Sequence, residues 1–304
     1  ALTNVNSLDF AATTSPTTRT KAEAGASGQD VSIGGAVAIT LADSVTTARL
    51  GNGSSIYIDG TLDLVATERN GTVFTTADGV AAGKDVGVGA AVALALTSDE
   101  VFALTERALT VDGAGDSTIL AVNEVRVETN AKASAKGVKE ESSGGSSTAN
   151  GQKEEQRTYA KNPAASSGSS AGRGEDTGDT SDASTSDGSV SVAAGFAINI
   201  SDVTAEAAVK DDLLVTGDLE VHSAANADVI ARADGSAVDP KNADVGVGVA
   251  VAINLADVKN QAYVEPSVTV NARGMRIIAD MAIRDGEADP QTHTLKAEAV
   301  SGAG

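Results

Sequence analysis

Cysteine and tryptophan are both absent from the 304 residues, and Phe and Tyr together make up only 2% of them. Without thiols there is neither a disulfide framework nor a thiolate metal site, so stability must rest on packing. A compact enzyme of this length normally fills its core with more aromatic bulk. Basic residues are also scarce, 22 against 42 acidic ones, for a formal net charge of −20. Phosphate recognition needs a basic surface, which excludes a nucleic-acid partner. The acidic balance suits a soluble chain that repels its own copies and attracts divalent cations. No apolar run reaches the roughly 18 residues of a membrane span, so no membrane insertion is expected. The stretch after Ala1 has neither the charged nor the apolar region of a signal peptide.

What is present is repetition. The stretch VGVGVAVAINLAD, starting at Val245, has close copies at Val31 (VSIGGAVAITLAD), Val86 (VGVGAAVALALTS) and Val190 (VSVAAGFAINISD). The first and last pairs of copies are 55 residues apart; the middle pair is 104 apart, a period plus about 49 inserted residues. Within a copy, Val245, Val247, Val249, Val251, Ile253 and Leu255 occupy one side, and Gly246, Gly248, Ala250 and Ala252 the other. That alternation is the signature of a strand. Glycine inside a strand marks a place where another backbone comes close, so both faces are expected to be covered or nearly so.

Landmarks recur after each copy. Asp43, Asp202 and Asp257, with Ser98 in the second copy, fall where a turn is expected to end the strand. Ala48, Ala103, Ala207 and Ala262 open a second strand, which closes at the turns Ile58-Asp59-Gly60, Val111-Asp112-Gly113, Val215-Thr216-Gly217 and Val270-Asn271-Ala272. A third strand carries Leu62-Asp63-Leu64, Val125-Arg126-Val127, Leu219-Glu220-Val221 and Met275-Arg276-Ile277, with residues 114–124 read as a local insertion. On this alignment Asp63, Arg126, Glu220 and Arg276 are equivalent and form a charge ladder. A fourth, alanine-spaced stretch (Ala22, Ala24, Ala26; Ala131, Ala133, Ala135; Ala297, Ala299) completes the unit.

Residues 137–188 depart from the pattern. Ser, Gly, Glu and Asp dominate there, with too little apolar surface to offset the entropy of ordering, so a disordered low-complexity insertion is expected. The organisation is then a partial repeat at 1–29, repeats at 30–84 and 85–136, the insertion at 137–188, and repeats at 189–244 and 245–304. Because Ala1 already lies inside a repeat, the chain is expected to be one segment of a longer array. The fold class is all-β. A parallel β-helix or β-solenoid of about four 55-residue repeats is favoured over tandem antiparallel β-sandwiches, because 55 residues are few for a self-sufficient sandwich. With four strand-like stretches per unit, each unit is expected to supply two or three rungs.

The combination of VGVGAAVALAL, FALTERALTVDG and a LEVHSA-type strand resembles the repeats of giant bacterial surface adhesins, among them the filamentous-haemagglutinin-like and leukotoxin-like filamentous adhesins. The resemblance covers nearly the whole chain apart from about 137–188. It implies an extracellular, cell-surface β-solenoid that extends a fibre and serves attachment, without catalytic residues. The partners it implies are a host or neighbouring-cell surface component, protein or glycan, and the flanking repeats of the same long chain.

Little in the sequence carries chemistry. Val86-Gly87-Val88-Gly89 lacks the third glycine and the following helix of a dinucleotide-binding turn. His222 and His293 share no ligand spacing and read as exposed strand residues, and no nucleophile elbow is present. The carboxylates remain. Calcium takes six to eight oxygens, and adjacent rungs that bring Asp30, Asp43, Asp85, Asp202, Asp244 or Asp257 near other acids are the candidate metal sites; no other cofactor is expected. The expected function is a non-enzymatic structural repeat acting as a rigid stalk for cell attachment or biofilm contact. The alternatives are direct ligand binding through the insertion or a solenoid face, and a carbohydrate-active β-helix enzyme.

Overall fold

The structure is a computed structural model that describes residues 5–28, 30–83, 86–136, 190–237, 245–284 and 292–303. The expected insertion at 137–188 lies outside the described residues. In chain order the strands are β1 (Leu8–Thr14), β2 (Thr17–Gly28), β3 (Val31–Leu50), β4 (Ile56–Ile58), β5 (Leu62–Gly83), β6 (Val86–Thr105), β7 (Leu109–Val111) and β8 (Ser117–Lys136). They continue with β9 (Val190–Val209), β10 (Leu213–Val215), β11 (Asp218–Ala237), β12 (Val245–Val264), β13 (Val270–Asn271), β14 (Gly274–Met281) and β15 (Thr294–Ala303).

Every strand pairing is parallel, and the strands stack into three sheets. One long sheet runs β12-β9-β6-β3; a second long sheet runs β1-β5-β8-β11-β14, with β2 on β5 and β15 on β11; a short sheet runs β13-β10-β7-β4. The chain is a parallel β-solenoid, and tandem antiparallel sandwiches are excluded. Val31 pairs with Val86 and Val190 with Val245, one 55-residue unit apart. Each unit therefore makes one coil of three strands (long, short, long), not two or three rungs.

The coils are larger than the sequence suggests because the strands do not stop where turns are expected. Asp43, Asp202 and Asp257 sit in the middle of β3, β9 and β12, so what reads as a first and a second strand is one continuous strand of 20 residues. The pairing of all 20 positions with the neighbouring coil outweighs the local turn preference of one aspartate. The turn after each short strand is where the Asp-Gly and Thr-Gly pairs place it; Asp59 donates its N–H to Val5 O at 2.8 Å and Asp112 to Ile58 O at 2.8 Å. Residues 114–124 are no insertion. Asp63 pairs with Thr118, which pairs with Glu220, and Glu220 pairs with Arg276; Arg126 lies opposite Thr72 and Asp228.

The interior tapers. Beside the short sheet it is filled by large aliphatics, among them Leu50, Ile56, Ile58, Leu62, Leu64, Val101, Leu109, Ile119, Leu213 and Leu219. Toward the other end, where β2, β5, β8 and β11 finish and β3, β6, β9 and β12 begin, it narrows to alanine: Ala36, Ala38, Ala77, Ala91, Ala93, Ala131, Ala133, Ala193, Ala197, Ala231 and Ala233. The sheets approach so closely there that a Cβ added at Gly79 would lie inside the carbonyl of Ala90, and one at Gly235 inside the carbonyl of Val249. The glycine and alanine side is thus the closely covered one. The large aliphatics of the same strands point outward and are uncovered, so the expectation that both faces are covered fails on that side.

A single irregularity interrupts the ladders between Glu68 and Gly71, where Arg69 and Asn70 bulge out and Asn70 takes a φ of 53°. The bulge shifts the alternation of β5 by one residue. Leu62, Leu64 and Ala66 face inward before it, and Val73, Ala77 and Ala81 after it. Because backbone stands where a side chain would go, Gly79→Val is expected to destabilise the fold by about 3 kcal/mol or more, beyond ordinary overpacking. An equilibrium urea titration against the wild type measures it. Unchanged stability would mean that the two sheets are farther apart than described.

Candidate interaction surface

The in-register stacking of β3, β6, β9 and β12 turns each outward repeat position into a row across the sheet. The first two rows are Val31, Val86, Val190, Val245 and Ile33, Val88, Val192, Val247; the third is Gly35, Ala90, Ala194, Val249. Three more follow: Val37, Val92, Phe196, Val251; Ile39, Leu94, Ile198, Ile253; and Leu41, Leu96, Ile200, Leu255. No side chain in these six rows is polar or charged. On the edge strand β3, Ile33 is 70% exposed and Leu41 78%. Scattered apolar residues are ordinary on a protein surface, but a contiguous face of this extent is not.

The seventh row holds the aspartates. Asp202 and Asp257 are direct neighbours, and Ser98 stands between Asp43 and Asp202. Lys259 donates to Asp257 Oδ2 at 2.7 Å. That bond and the Asp257 charge, with further help from Asp202 and Glu100, raise the Lys259 ammonium above its ordinary pKa. Asp30 lies apart from this row, in the link before β3, where its carbonyl accepts the Val86 N–H at 2.9 Å. Asp85 and Asp244 lie outside the described residues. Among the described residues no three His, Asp or Glu side chains are grouped to hold a metal ion. The turn residue Asp112 accepts from Tyr57 at 2.7 Å and from Thr216 at 3.1 Å, and these two bonds lower its pKa.

The outer face of the opposite long sheet is built differently. Arg126 pairs with Glu128, Arg232 lies 3.6 Å from Glu128 and 2.9 Å from Glu298, and Lys296 pairs with Glu298. Nearer the short sheet Arg276 binds Glu220 at 2.8 Å, a rung of the expected charge ladder, although Arg126 is not part of it. His222 lies between Asp280, 2.8 Å away, and Glu220, 3.4 Å away. His293 is exposed, as expected, but lies just before β15 and not within a strand, and its Nδ1 accepts the Ala227 N–H at 3.0 Å. Desolvation lowers its pKa. Close by, the buried Arg284 pairs with Asp228 and donates to Val125 O at 2.6 Å, tying the chain just after β14 to β11 and β8.

One group of chemical interest lies in the interior, and the sequence reading missed it. Glu68 and Asp99 are both buried and meet between the two long sheets. Glu68 Oε2 accepts from Ser44 Oγ at 2.7 Å and Thr14 Oγ1 at 3.4 Å, whereas its Oε1 and Asp99 Oδ2 have no hydroxyl or amide donor. Burial first, then the charge of Glu68 and a hydrogen bond to it, push the Asp99 carboxyl up to about 7. Two carboxyl groups in such contact hold one proton between them. A signal was available in the repeat: Asp99 falls at an inward position that is Ser44, Val203 and Val258 in the other coils.

Comparison with known protein families, with curated proteins and with solved structures gives no match.

The carboxyl pair predicts a pH dependence. With its pKa raised on folding, Asp99 keeps in the folded state a proton that the unfolded chain releases between about pH 4 and about pH 7. Its contribution to stability is therefore full at the acid end and declines across that window. Asp99→Asn, which donates to Glu68 at every pH, is expected to remove this decline, read as melting temperature against pH for both proteins. Parallel curves would show that the pair holds no shared proton.

Proposed function

We propose that the chain is a non-enzymatic structural repeat segment of a cell-surface adhesin, a load-bearing stack that holds other parts of a longer fibre in place. The observation that supports it is the unbroken ladder from coil to coil, with 20 residues of each β3-type strand paired in register with the next. Force along the stack is shared over many hydrogen bonds at once. The resemblance of the repeats to those of giant bacterial adhesins supports the extracellular setting, and the flanking partners on this reading are further coils of the same chain.

The geometry adds a constraint on how such a segment works. Each coil advances the stack by only about 4.8 Å, whereas a strand of 20 residues spans roughly 66 Å at about 3.3 Å per residue. The segment gains breadth much faster than reach. That breadth, and the bare apolar face it carries, favours a second reading in which the segment itself makes contact with a protein or glycan surface. Beads coated with the chain, presented to matrix-protein and glycan arrays, separate the two: retention assigns the segment a contact role and its absence leaves the spacer.

The load-bearing role is tested by pulling the chain from its ends in a single-molecule force instrument. Coils are expected to peel off in steps of about 55 residues, each releasing roughly 190 Å of chain at about 3.5 Å per residue, with one longer step for the coil that spans 104 residues from Val86 to Val190. A smooth extension without coil-sized steps would overturn the role.

A further inference from the structure

The six outward rows of the β12-β9-β6-β3 sheet form a face about 19 Å by 36 Å, on the order of 700 Å², from strand spacings of about 4.8 Å and rises of about 3.3 Å. This exceeds the largest apolar patch of a typical monomer, roughly 300–600 Å². It approaches the roughly 800 Å² that each partner contributes to a standard stable interface. The chain places charged side chains freely on the outer face of its other long sheet, so their absence here belongs to this face and not to the composition.

Three observations identify the occupant. The segment 137–189 has only Val138 and Tyr159 as large apolar residues, too few to cover the 24 positions of the six rows. The aspartates Asp43, Asp202 and Asp257 border the face on the same strands, and the chain has no tryptophan; a lipid-binding face carries basic and aromatic anchors at its edge instead. The relief of the face complements itself: Gly35, Ala90 and Ala194 form a shallow trough across three strands, and Phe196 rises in the next row.

We propose that this face is a homotypic docking surface, on which a second copy of the chain packs sheet against sheet about a two-fold axis. Each copy's Phe196 then meets the other's trough, as a self-complementary two-fold contact requires. Two sheets packed in this way interleave their side chains about 10 Å apart. The net charge of −20 opposes association in general, but the two-fold places the acidic rows at opposite ends of the contact, so the overlapping surfaces are uncharged. The pairing does not depend on the spacer role, and laterally paired stacks would form whether or not the segment bears load.

The test uses the full chain in sedimentation velocity at physiological salt, with two sets of variants on the central strands. The wild type is expected to dimerise with rising concentration. Leu94→Glu combined with Ile198→Glu is expected to abolish the dimer, and Val92→Thr with Leu94→Thr and Ile198→Thr to weaken it by at least about tenfold while preserving strand propensity. Circular dichroism confirms that each variant remains folded. Because the chain has no cysteine, a nitroxide on Leu94→Cys reports the geometry directly. A label there should find its counterpart within about 20 Å, and one on Thr118→Cys, on the far sheet, beyond about 30 Å for stacked sheets about 10 Å apart. A wild type that stays monomeric at about 100 μM, a concentration that would saturate micromolar association, overturns the proposal. So does a dimer indifferent to the glutamates, or the short distance at Thr118→Cys. A monomer that cosediments with neutral phosphatidylcholine vesicles also overturns it and assigns the face to lipid.

Discussion

The narrow gap between the two long sheets governs the rest of the molecule. Where β5 and β11 finish and β6 and β12 begin, facing backbones come so close that a Cβ at Gly79 or Gly235 would clash, and the surrounding inward residues are small, chiefly alanine. Close contact between extended backbones draws on dispersion over a large area without needing bulky side chains. It also decides the polarity of the strands. In a period-2 sequence the branched aliphatics alternate with the small residues, so confining the small set to the gap forces Val, Ile and Leu to the outside. The exposed apolar face is the geometric complement of the tight interior.

At the other end of the cross-section the short sheet props the long sheets apart, and Leu, Ile and Val fill the wider space. The Glu68 and Asp99 pair sits within this same interior. The bulge at Arg69 and Asn70 accompanies that burial: it corrects the alternation of β5, and the missing side chain at Gly71 leaves room for Glu68 Oε1. Burying a carboxyl is costly unless it is bonded or neutral. Here one carboxyl is supplied with hydroxyl donors from Ser44 and Thr14, and the other holds a proton toward it.

The two long sheets therefore present unlike surfaces to their surroundings. One carries cross-strand ion pairs, with several outward residues of its central strands, among them Ala224, Asn226 and Asp228, buried; the other is aliphatic over six rows and then acidic.

Period, strand character and the short-strand turns were legible in the residues, because equal side chains at equal offsets of 55 have to meet when coils stack and because Asp-Gly pairs mark turns at Gly60 and Gly113. The sequence by itself determined an all-β repeat with a 55-residue period, in which a solenoid was favoured over tandem sandwiches, and the partition of each long strand into a small and a large side. Which side faces in was decided only by the tertiary structure, since alternation is symmetric until a second sheet sets the width of the gap. The same holds for register: placing Val125 opposite Leu62 instead of Ser117 is a slip of eight residues, an even number that leaves every alternation intact. Asp43, Asp202 and Asp257 carry the local chemistry of a turn, yet they lie mid-strand because pairing along the whole length of the adjacent strand outweighs a preference confined to one residue. Glu68 and Asp99 lie in successive coils, on β5 and β6, and only the packing of the two long sheets against each other brings their carboxyl groups together.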